Sequence, residues 1–298
     1  MRRHGAIVLA VFLLVVLLGG ANQVAVRFSN RELPPFFGAG MRFLAAAILL
    51  QLLARWQRIE LPRGRPLVAA GVFGILNFGV SYALAYWALV EAPAALASTT
   101  LSLVPLFTFV LAVALGLERF RWGGVAGGAI AAIGIGVVFV DQFRAVSTGT
   151  LAALLGSAGC VAVSTVVAKR LPPLHPIATN AAAMLPGAAL LFALSFLAGE
   201  RVALPHLLAT WVALAYLAVC SVKLFVGFLF LVKRWTASAS AYATVLFPIV
   251  TIAIGAVLAV EIVTVPFVAG TALVMLGVYI GAIAATPRLV KTEAGAAN

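Results

Sequence analysis

Residues 97–137, ASTTLSLVPLFTFVLAVALGLERFRWGGVAGGAIAAIGIGV, return in altered form at residues 240–280, SAYATVLFPIVTIAIGAVLAVEIVTVPFVAGTALVMLGVYI. The two stretches align without a gap, and we call their constant separation, which takes position 105 to position 248, the repeat offset. Identical pairs at this offset include Pro105 and Pro248, Thr108 and Thr251, Glu118 and Glu261, Gly127 and Gly270, Gly134 and Gly277, and, outside the stretches, Arg27 and Arg170, and Pro62 and Pro205. The sequence therefore predicts two copies of one five-helix unit, 1–143 and 144–286, followed by a cytoplasmic tail at 287–298.

The composition places the chain in a lipid bilayer. Of the 298 residues, 64% are hydrophobic and only 9% are charged, and the mean hydropathy is +1.17. Soluble domains carry about 25% charged residues. A soluble globular protein is therefore excluded.

Ten stretches have about the 20 apolar residues that a membrane-spanning helix needs. The predicted spans are residues 5–26, 34–54, 67–89, 93–116, 122–140, 150–168, 174–198, 207–232, 237–259 and 265–285. Five spans fall in each copy, and an odd number per copy forces the second copy to enter the membrane from the opposite side, as in inverted-topology repeats. We therefore predict an all-α integral membrane protein with two inverted five-helix repeats (5+5). The alternation of apolar and polar residues that is typical of membrane β-barrels is absent from the sequence.

The beginning of the chain also resembles a signal peptide. Basic residues precede the apolar run 6–18, and small residues follow it, as in cleavable signals. Removing this segment would leave four helices in one copy against five in the other. The segment is better interpreted as the first membrane helix.

The basic residues predict the orientation, because Lys and Arg near membrane spans stay on the cytoplasmic side. With a cytoplasmic N-terminus, the inner segments hold 14 of the 20 basic residues and the outer segments hold four. Both termini are therefore predicted to be cytoplasmic. The net charge of +12 is spread over short loops, so it indicates membrane orientation rather than nucleic-acid binding.

The spans carry few groups suited to catalysis. No span has a central Asp or Glu, the three histidines lie at span ends, and the sequence contains neither an HExxH nor a GxxxxGK[ST] motif. We predict no enzyme activity, no metal, no cofactor and no ATP hydrolysis. Cys160 and Cys220 lie inside spans, where they are interpreted as small core residues. A channel or a non-transporting membrane subunit remains an alternative class.

Inverted repeats favour transport, because two related halves can exchange conformations and open a central site to either side in turn. Ten spans in two halves with cytoplasmic termini, and the paired Pro, Thr, Glu and Gly positions given above, resemble the drug/metabolite transporter superfamily. Within it, the chain is similar to the EamA-type bacterial exporters over residues 5–285. Size and the aromatic and polar content of the spans are most similar to the YddG-type aromatic amino acid exporters.

This resemblance implies a multi-pass protein of the bacterial inner membrane that exports small metabolites by alternating access. Aromatic or other neutral amino acids are the expected substrates, and export of drugs or other metabolites is the alternative. Expected partners are a small-molecule substrate and the lipid bilayer, and the chain is expected to act as a monomer or a homodimer.

Polar and aromatic residues within the spans indicate where a central cavity is lined. Asn77 and Ser81 lie one helical turn apart on one face of span three. Ser and Thr hydroxyls in membrane helices often bond only their own backbone or a neighbouring helix. The candidate substrate-binding residues are Asn77, Ser81, Tyr82, Ser98, Thr99, Tyr242 and Thr244, and the candidate gating or rim residues are Asn22, Gln23 and Arg42. Ser102, Ser164, Thr165 and Ser238 are further polar positions in these spans.

Two basic residues within spans are candidates for binding a substrate carboxylate, since charges inside the membrane are functional candidates. Lys223 lies about sixteen residues into span eight and Arg42 eight residues into span two. We hypothesise that one of them binds the carboxylate of a zwitterionic amino acid, while Tyr82 and Tyr242 pack against its side chain. Tyr86 and Trp87 are interpreted as anchors at the membrane interface.

Glycines and prolines indicate mechanical roles. GxxxG pairs in span five and Gly277 with Gly281 in span ten predict close helix packing, either against each other or against a second subunit. Pro105 and Pro248 hold matching positions in spans four and nine and are predicted hinges. Because every carboxylate lies in a loop or near a span end, we predict facilitated efflux without obligatory proton coupling through a central carboxylate.

Overall fold

The computed structural model describes residues 2–142, 146–172, 174–201, 204–234, 240, 242–259 and 264–284. In these ranges every regular element is helical. We label the first eight α1 (Arg2–Ser29), α2 (Pro35–Trp56), α3 (Arg65–Glu91), α4 (Ala94–Ala114), α5 (Trp122–Gln142), α6 (Thr148–Arg170), α7 (Pro176–Leu197) and α8 (Leu208–Arg234). The last two are α9 (residues 242–259) and α10 (residues 265–284).

Seven of these helices are long and apolar enough to cross a bilayer, counted over the described residues: α1 to α4 and α6 to α8. Shorter apolar helices, Trp122–Val138, Ala243–Leu258 and Val265–Gly281, stand where spans five, nine and ten were predicted. Large apolar side chains such as Leu17, Phe196 and Leu208 lie exposed on the outside, where lipid replaces water as the solvent. The chain is a multi-pass membrane protein, while ten crossings with cytoplasmic termini remain a prediction.

The helix contacts repeat in pairs between the two predicted units. At the repeat offset, α1 corresponds to α6, α2 to α7, α3 to α8, α4 to α9 and α5 to α10. Helix α1 contacts α8, and their counterparts α6 and α3 also contact each other. Likewise α2 contacts α8, and their counterparts α7 and α3 are in contact. The contacts of α2 with α7 and of α5 with α10 join corresponding helices. A pseudo-two-fold axis between the two predicted units would produce this paired pattern of contacts, and the axis stays a prediction.

The glycines of α5 and α10 bring these two helices into close contact. A Cβ atom on Gly134 would lie 2.7 Å from the carbonyl oxygen of Gly270, and one on Gly277 would lie 2.5 Å from that of Gly127. Gly134 contacts Gly270, and Gly127, earlier in α5, contacts Gly277, later in α10. The two helices therefore run antiparallel. The predicted close packing is thus found between the two helices of one chain.

Four of the described helices depart from regular α-geometry, and α10 does so by ending in a π-helical turn at Tyr279–Ala284. α3 contains a π-helical turn at Ile75–Val80, a feature found often at functional sites. α4 is interrupted at residues 102–103, and Pro105 stands in the first turn of its second part, Val104–Ala114. In α9, a 3₁₀ turn at Tyr242–Leu246 precedes Phe247–Ile254, whose first turn contains Pro248. Both prolines therefore stand where a helix changes direction or pitch, and their role as hinges stays a prediction.

Candidate functional site

Arg42 is the largest fully buried side chain of the protein's described core. It lies on α2, seven residues after the helix begins at Pro35 and so about 10 Å along its axis, and only 1% of its surface is exposed. A buried guanidinium is costly unless charged or hydrogen-bonding groups compensate it. The surroundings of Arg42 therefore decide what this position does.

The guanidinium is only partly satisfied. Its Nε donates to the Ser221 hydroxyl of α8 at 2.7 Å, and Nη1 donates to the Tyr86 hydroxyl of α3 at 3.4 Å. Nη2 is buried and has no hydrogen-bond partner among the described residues. In the part of the chain that the structure describes, no carboxylate lies within ion-pair distance of Arg42. The site thus presents a positive charge and an unused N–H donor, the groups that a carboxylate binds.

Aromatic rings surround this charge. The Arg42 guanidinium carbon lies 4.9 Å from the centre of the Tyr82 ring and 4.8 Å from that of Phe43. Tyr82 and Phe225 pack with ring centres 6.0 Å apart, and Phe78 and Phe225 with centres 4.7 Å apart. Of these rings only Tyr82 is partly exposed. We call Arg42, Phe43, Phe78, Tyr82, Tyr86, Ser221 and Phe225 the Arg42 cluster.

The Arg42 cluster takes residues from both predicted units but is chemically one-sided. Tyr82 and Phe225 correspond at the repeat offset, and they contact each other. The counterpart of Arg42 is Leu185. A single charge therefore stands beside a pair of related rings, and a bound molecule would have one charged end and one aromatic surface to contact.

Lys223, the other candidate for a carboxylate, lies elsewhere. Its side chain is exposed and lines a groove of about 490 Å³ between α1 and α8, together with Leu18 and Tyr216. Ser221, which contacts Arg42, is two residues away and so on nearly the opposite face of α8. The structure brings Arg42 together with Tyr82, as predicted, and leaves Lys223 outside this cluster.

Asn77 and Ser81 face α6 from α3. The Asn77 side-chain oxygen accepts a hydrogen bond of 2.8 Å from Ser164, and the Ser81 hydroxyl lies 3.3 Å from that of Ser157. Both residues are buried, and Asn77 Nδ2 has no partner within the described ranges. These contacts join the two predicted units in the middle of the bundle, where Asn77 is held within the π-helical turn of α3.

The remaining polar candidates are buried at helix contacts. The Ser98 and Thr99 hydroxyls both donate to the Ala95 carbonyl oxygen, and Thr99 also lies 3.2 Å from the Thr271 hydroxyl. The Thr244 carbonyl accepts a hydrogen bond from Ser102. Asn22 and Gln23 are buried in α1. The side chain of Tyr242, and the residues Ser238 and Glu261, lie outside the described part.

The interpretation of Tyr86 as an interfacial anchor was wrong. Its ring is fully buried and its hydroxyl contacts Arg42, whereas Trp87 is 45% exposed, as an anchor would be. The reason is the spacing, because Tyr86 follows Tyr82 by one helical turn on the inward face of α3. Ser221 and Phe225, which sequence reasoning missed, are also one turn apart, on the face of α8 that meets Arg42.

The sequence profile of the EamA-like transporter family matches this chain twice, at residues 6–140 and at residues 148–282. The two matches cover most of the chain, and each contains five of the helices described above.

Two relatives that match this chain over most of its length are described as uncharacterized transporters. The chain is 28% identical to YedA, an uncharacterized inner membrane transporter of Escherichia coli (strain K12), over 83% of this chain and 80% of that protein. An uncharacterized transporter of Archaeoglobus fulgidus is also 28% identical, over 91% of this chain and 96% of the relative. A probable terminal-alkyne amino-acid exporter of Streptantibioticus cattleyicolor is 30% identical over 99 residues, 33% of each chain.

A solved crystal structure of a protein chain has the same fold. It superposes with a TM-score of 0.68 over 94% of this chain and 98% of the other, at 19% sequence identity. At this identity the likeness concerns the arrangement of helices alone.

Proposed function

Because this chain belongs to the EamA-like transporter family, we propose that it exports small zwitterionic metabolites across the bacterial inner membrane, most specifically amino acids with aromatic or other neutral side chains. Membrane transport is the activity of the family, and the relatives include an inner membrane transporter. The choice of amino acids is our proposal and depends on the Arg42 cluster.

The observation that carries the proposal is the unsatisfied guanidinium of Arg42. A carboxylate bound at Nη2 would supply the missing acceptor and neutralise a charge that is 1% exposed. The Arg42 side chain extends from α2 to Tyr86 on α3 and Ser221 on α8. A substrate bound there would therefore contact helices from both predicted units. A site between two units is where a transporter with internal repeats binds its substrate.

The aromatic rings of the cluster support a substrate with a planar or bulky apolar side chain. Tyr82 is partly exposed and packs against Phe43 and Phe225, so its ring offers a surface already held in place. Aromatic pairs add about 0.5–1.5 kcal/mol beyond the burial of their area. A substrate ring would gain this from Tyr82.

Alternating access is supported by the symmetry of the fold. The antiparallel contact of the corresponding helices α5 and α10 is the geometry of an inverted repeat. Each half can then adopt the conformation of the other, which opens the central site to the opposite side of the membrane. We propose that the contact between α5 and α10 stays fixed while the other helices move, since the backbones of α5 and α10 meet at glycines.

Facilitated efflux is the simplest form of this transport. In the sequence, all eight carboxylates fall in predicted loops or near the ends of predicted spans, and proton-driven transporters usually place a titratable carboxylate in the pathway. The positive charge of Arg42 also disfavours cationic drugs, the alternative substrates of the superfamily, which would be repelled at this site.

Counterflow in proteoliposomes that contain only this protein tests the proposal. Vesicles are preloaded with unlabelled phenylalanine, tryptophan, threonine or a cationic dye, and uptake of labelled phenylalanine is followed. We expect stimulation by the internal amino acids, strongest for the aromatic ones, and none by the dye. If vesicles with folded protein show no stimulation by any amino acid, the assignment of amino acids is wrong.

Replacing Tyr82 by leucine is expected to reduce preference for aromatic substrates. Loss of the ring should raise the half-saturating concentration for phenylalanine about threefold to tenfold, because one stacking contact disappears. The half-saturating concentration for threonine should change little. The ratio of the two substrates in competition counterflow measures the effect. Phe196→Leu, an aromatic residue that is 85% exposed on the outside of α7, is the matched control.

A further inference from the structure

Three glutamates bind the beginnings of three helices. Glu32, between α1 and α2, accepts hydrogen bonds from the amides of His206 and Leu207, each at 3.1 Å, and from the Thr210 hydroxyl, all at the start of α8. Glu200, between α7 and α8, accepts from the amides of Phe36 at 3.0 Å and Phe37 at 2.8 Å, in the first turn of α2.

The third glutamate acts on α6. Glu91, the last residue of α3, accepts hydrogen bonds from the Ser147 amide at 2.6 Å, from the Ser147 hydroxyl at 2.9 Å and from the Thr150 hydroxyl. Ser147 is the N-cap of α6. The first amides of a helix lack partners within it and carry its positive dipole end, so a carboxylate there is favourable.

Each of these contacts crosses between the two predicted units. Glu32 and Glu91 belong to residues 1–143 and bind α8 and α6 of the second unit, while Glu200 belongs to the second unit and binds α2 of the first. A carboxylate capping its own helix would stabilise only that helix. These three instead fasten one unit to the other, whereas Lys233 at the opposite end of α8 donates to the carbonyls of Pro172 and Leu174 in its own unit.

All three contacts lie at one end of the bundle. They involve the beginnings of α2, α6 and α8, which share one direction if every helix crosses the membrane. The basic residues predict that this end faces outward, because the inner segments carry most of them.

The contacts also lie above the Arg42 cluster. α2 and α8, whose beginnings are held by Glu200 and Glu32, are the helices that bring Arg42 and Ser221 together at 2.7 Å. Separation of the two helices at their outer ends would break this hydrogen bond and expose Arg42. The contacts of Glu32 and Glu200 therefore hold together the two helices that cover Arg42 from this end.

We propose that Glu32, Glu91 and Glu200 form the outer gate of the transporter, closed in this structure, and that release of the substrate requires their contacts with α8, α6 and α2 to break. The inference rests on the proposed transport function. It adds a set of carboxylates that hold the outward-closed state without binding substrate.

Thiol labelling tests the gate without any substrate. In a Cys160→Ser background, Cys220 is the sole cysteine. It is 2% exposed and adjacent to Ser221. A membrane-impermeant methanethiosulfonate is applied from outside to the background protein and to the triple variant Glu32→Gln, Glu91→Gln, Glu200→Gln. We expect labelling to accelerate about tenfold in the triple variant, because each neutral side chain is a weaker cap than a carboxylate.

The control is Glu60→Gln, which removes one exposed carboxylate from the loop between α2 and α3 and should leave the labelling rate unchanged. The three single Gln variants should each give a smaller acceleration, which keeps the test available if the triple variant does not fold. Thermal unfolding in detergent confirms that each labelled variant is folded. Equal labelling rates in folded background and Gln variants would overturn the proposal.

Cross-linking distinguishes a moving gate from a static fastening. Glu32→Cys and Thr210→Cys are combined in a background without Cys160 and Cys220 and joined by a short bis-methanethiosulfonate, which forms a reducible disulfide with each thiol. We expect counterflow to stop when the residues are linked and to return after reduction, while either single cysteine variant is insensitive to the reagent. Full transport by the linked protein would contradict the gate. Absence of amino acid transport by the wild-type protein would contradict the proposed function instead, with the labelling result unaffected.

The gate is expected to stay closed over the neutral pH range. The Thr210 hydroxyl and the amides at the start of α8 hold the pKa of Glu32 below its ordinary value of 4.5. A lowered pKa in the folded state gives a stabilisation that is present above the unfolded pKa and is lost as pH falls through the folded pKa. The thermal midpoints of wild type and Glu32→Gln should therefore differ by a constant amount from pH 8 to pH 6 and converge only below pH 4.5. Convergence near pH 6 would contradict this assignment.

Discussion

Replacement of Arg42 by glutamine is expected to abolish most amino acid transport while leaving the fold intact. The carboxylate of the substrate would lose its only charged partner in the Arg42 cluster, and removal of one member of a buried, hydrogen-bonded charge pair costs about 2–5 kcal/mol. The half-saturating concentration should therefore rise at least about 30-fold. Counterflow of labelled phenylalanine measures the change.

Related variants separate charge from position. Arg42→Lys keeps the charge without the planar fork of donors and should retain part of the activity. Arg55→Gln, at the exposed carboxyl-terminal end of the same helix, removes the same charge and should change transport less than about twofold, as expected for an exposed residue. Lys223→Ala tests the second candidate cation. Full transport with unchanged preference in both Arg42→Ala and Lys223→Ala would refute carboxylate binding by either residue.

Gly134→Val is expected to destabilise the bundle strongly. A Cβ atom at this position would lie 2.6 Å from the amide nitrogen of Val274 and 2.7 Å from the carbonyl oxygen of Gly270, and a helix backbone cannot move aside as a side chain can. Overpacking of this kind costs about 3 kcal/mol or more, which corresponds to a fall of roughly 10 °C in the thermal midpoint. The thermal midpoint is measured on the purified protein in detergent, by recording how much soluble monodisperse protein is left after heating to each temperature.

Gly136→Val is the matched control, two residues further along α5. An added Cβ there meets nothing within 4 Å, so the thermal midpoint should be nearly unchanged. If both variants unfold at the same temperature as wild type, the contact of α5 with α10 does not hold the two units together.

The helices could be predicted from the sequence because each membrane segment must be both apolar and long. The predicted spans 34–54 and 174–198 correspond to Pro35–Trp56 and Pro176–Leu197, within two residues. The glycine spacing likewise predicted close packing of α5 and α10, since only small residues let two backbones meet. What the sequence left open was whether these helices pair within one chain, which depends on the fold as a whole.

The candidate site was predictable only in part. Arg42 and Tyr82 were found because a charge and a polar ring are unusual in apolar spans. Ser221 and Phe225 were missed, because a serine and a phenylalanine are ordinary there and gain significance only from the approach of α8 to Arg42. Lys223 and Arg42 are equally unusual in sequence, and only the three-dimensional structure shows that one faces a surface groove and the other the bundle interior.

The gate glutamates gave no signal because loop carboxylates are expected on any membrane protein. Glu32, Glu91 and Glu200 do not correspond to one another at the repeat offset, so the repeat did not point to them. Their common feature is that each binds the beginning of a helix in the other predicted unit. This contact exists only after folding.

The most direct test of the account compares phenylalanine with phenethylamine, which lacks the carboxylate but keeps the ring and the amine. Each is used as a competitor of labelled phenylalanine binding to the purified protein, for wild type and for Arg42→Gln. We expect wild type to bind phenylalanine at least about 30-fold more tightly than phenethylamine, and Arg42→Gln to bind the two nearly equally. Equal discrimination by wild type and Arg42→Gln would show that Arg42 does not recognise the carboxylate.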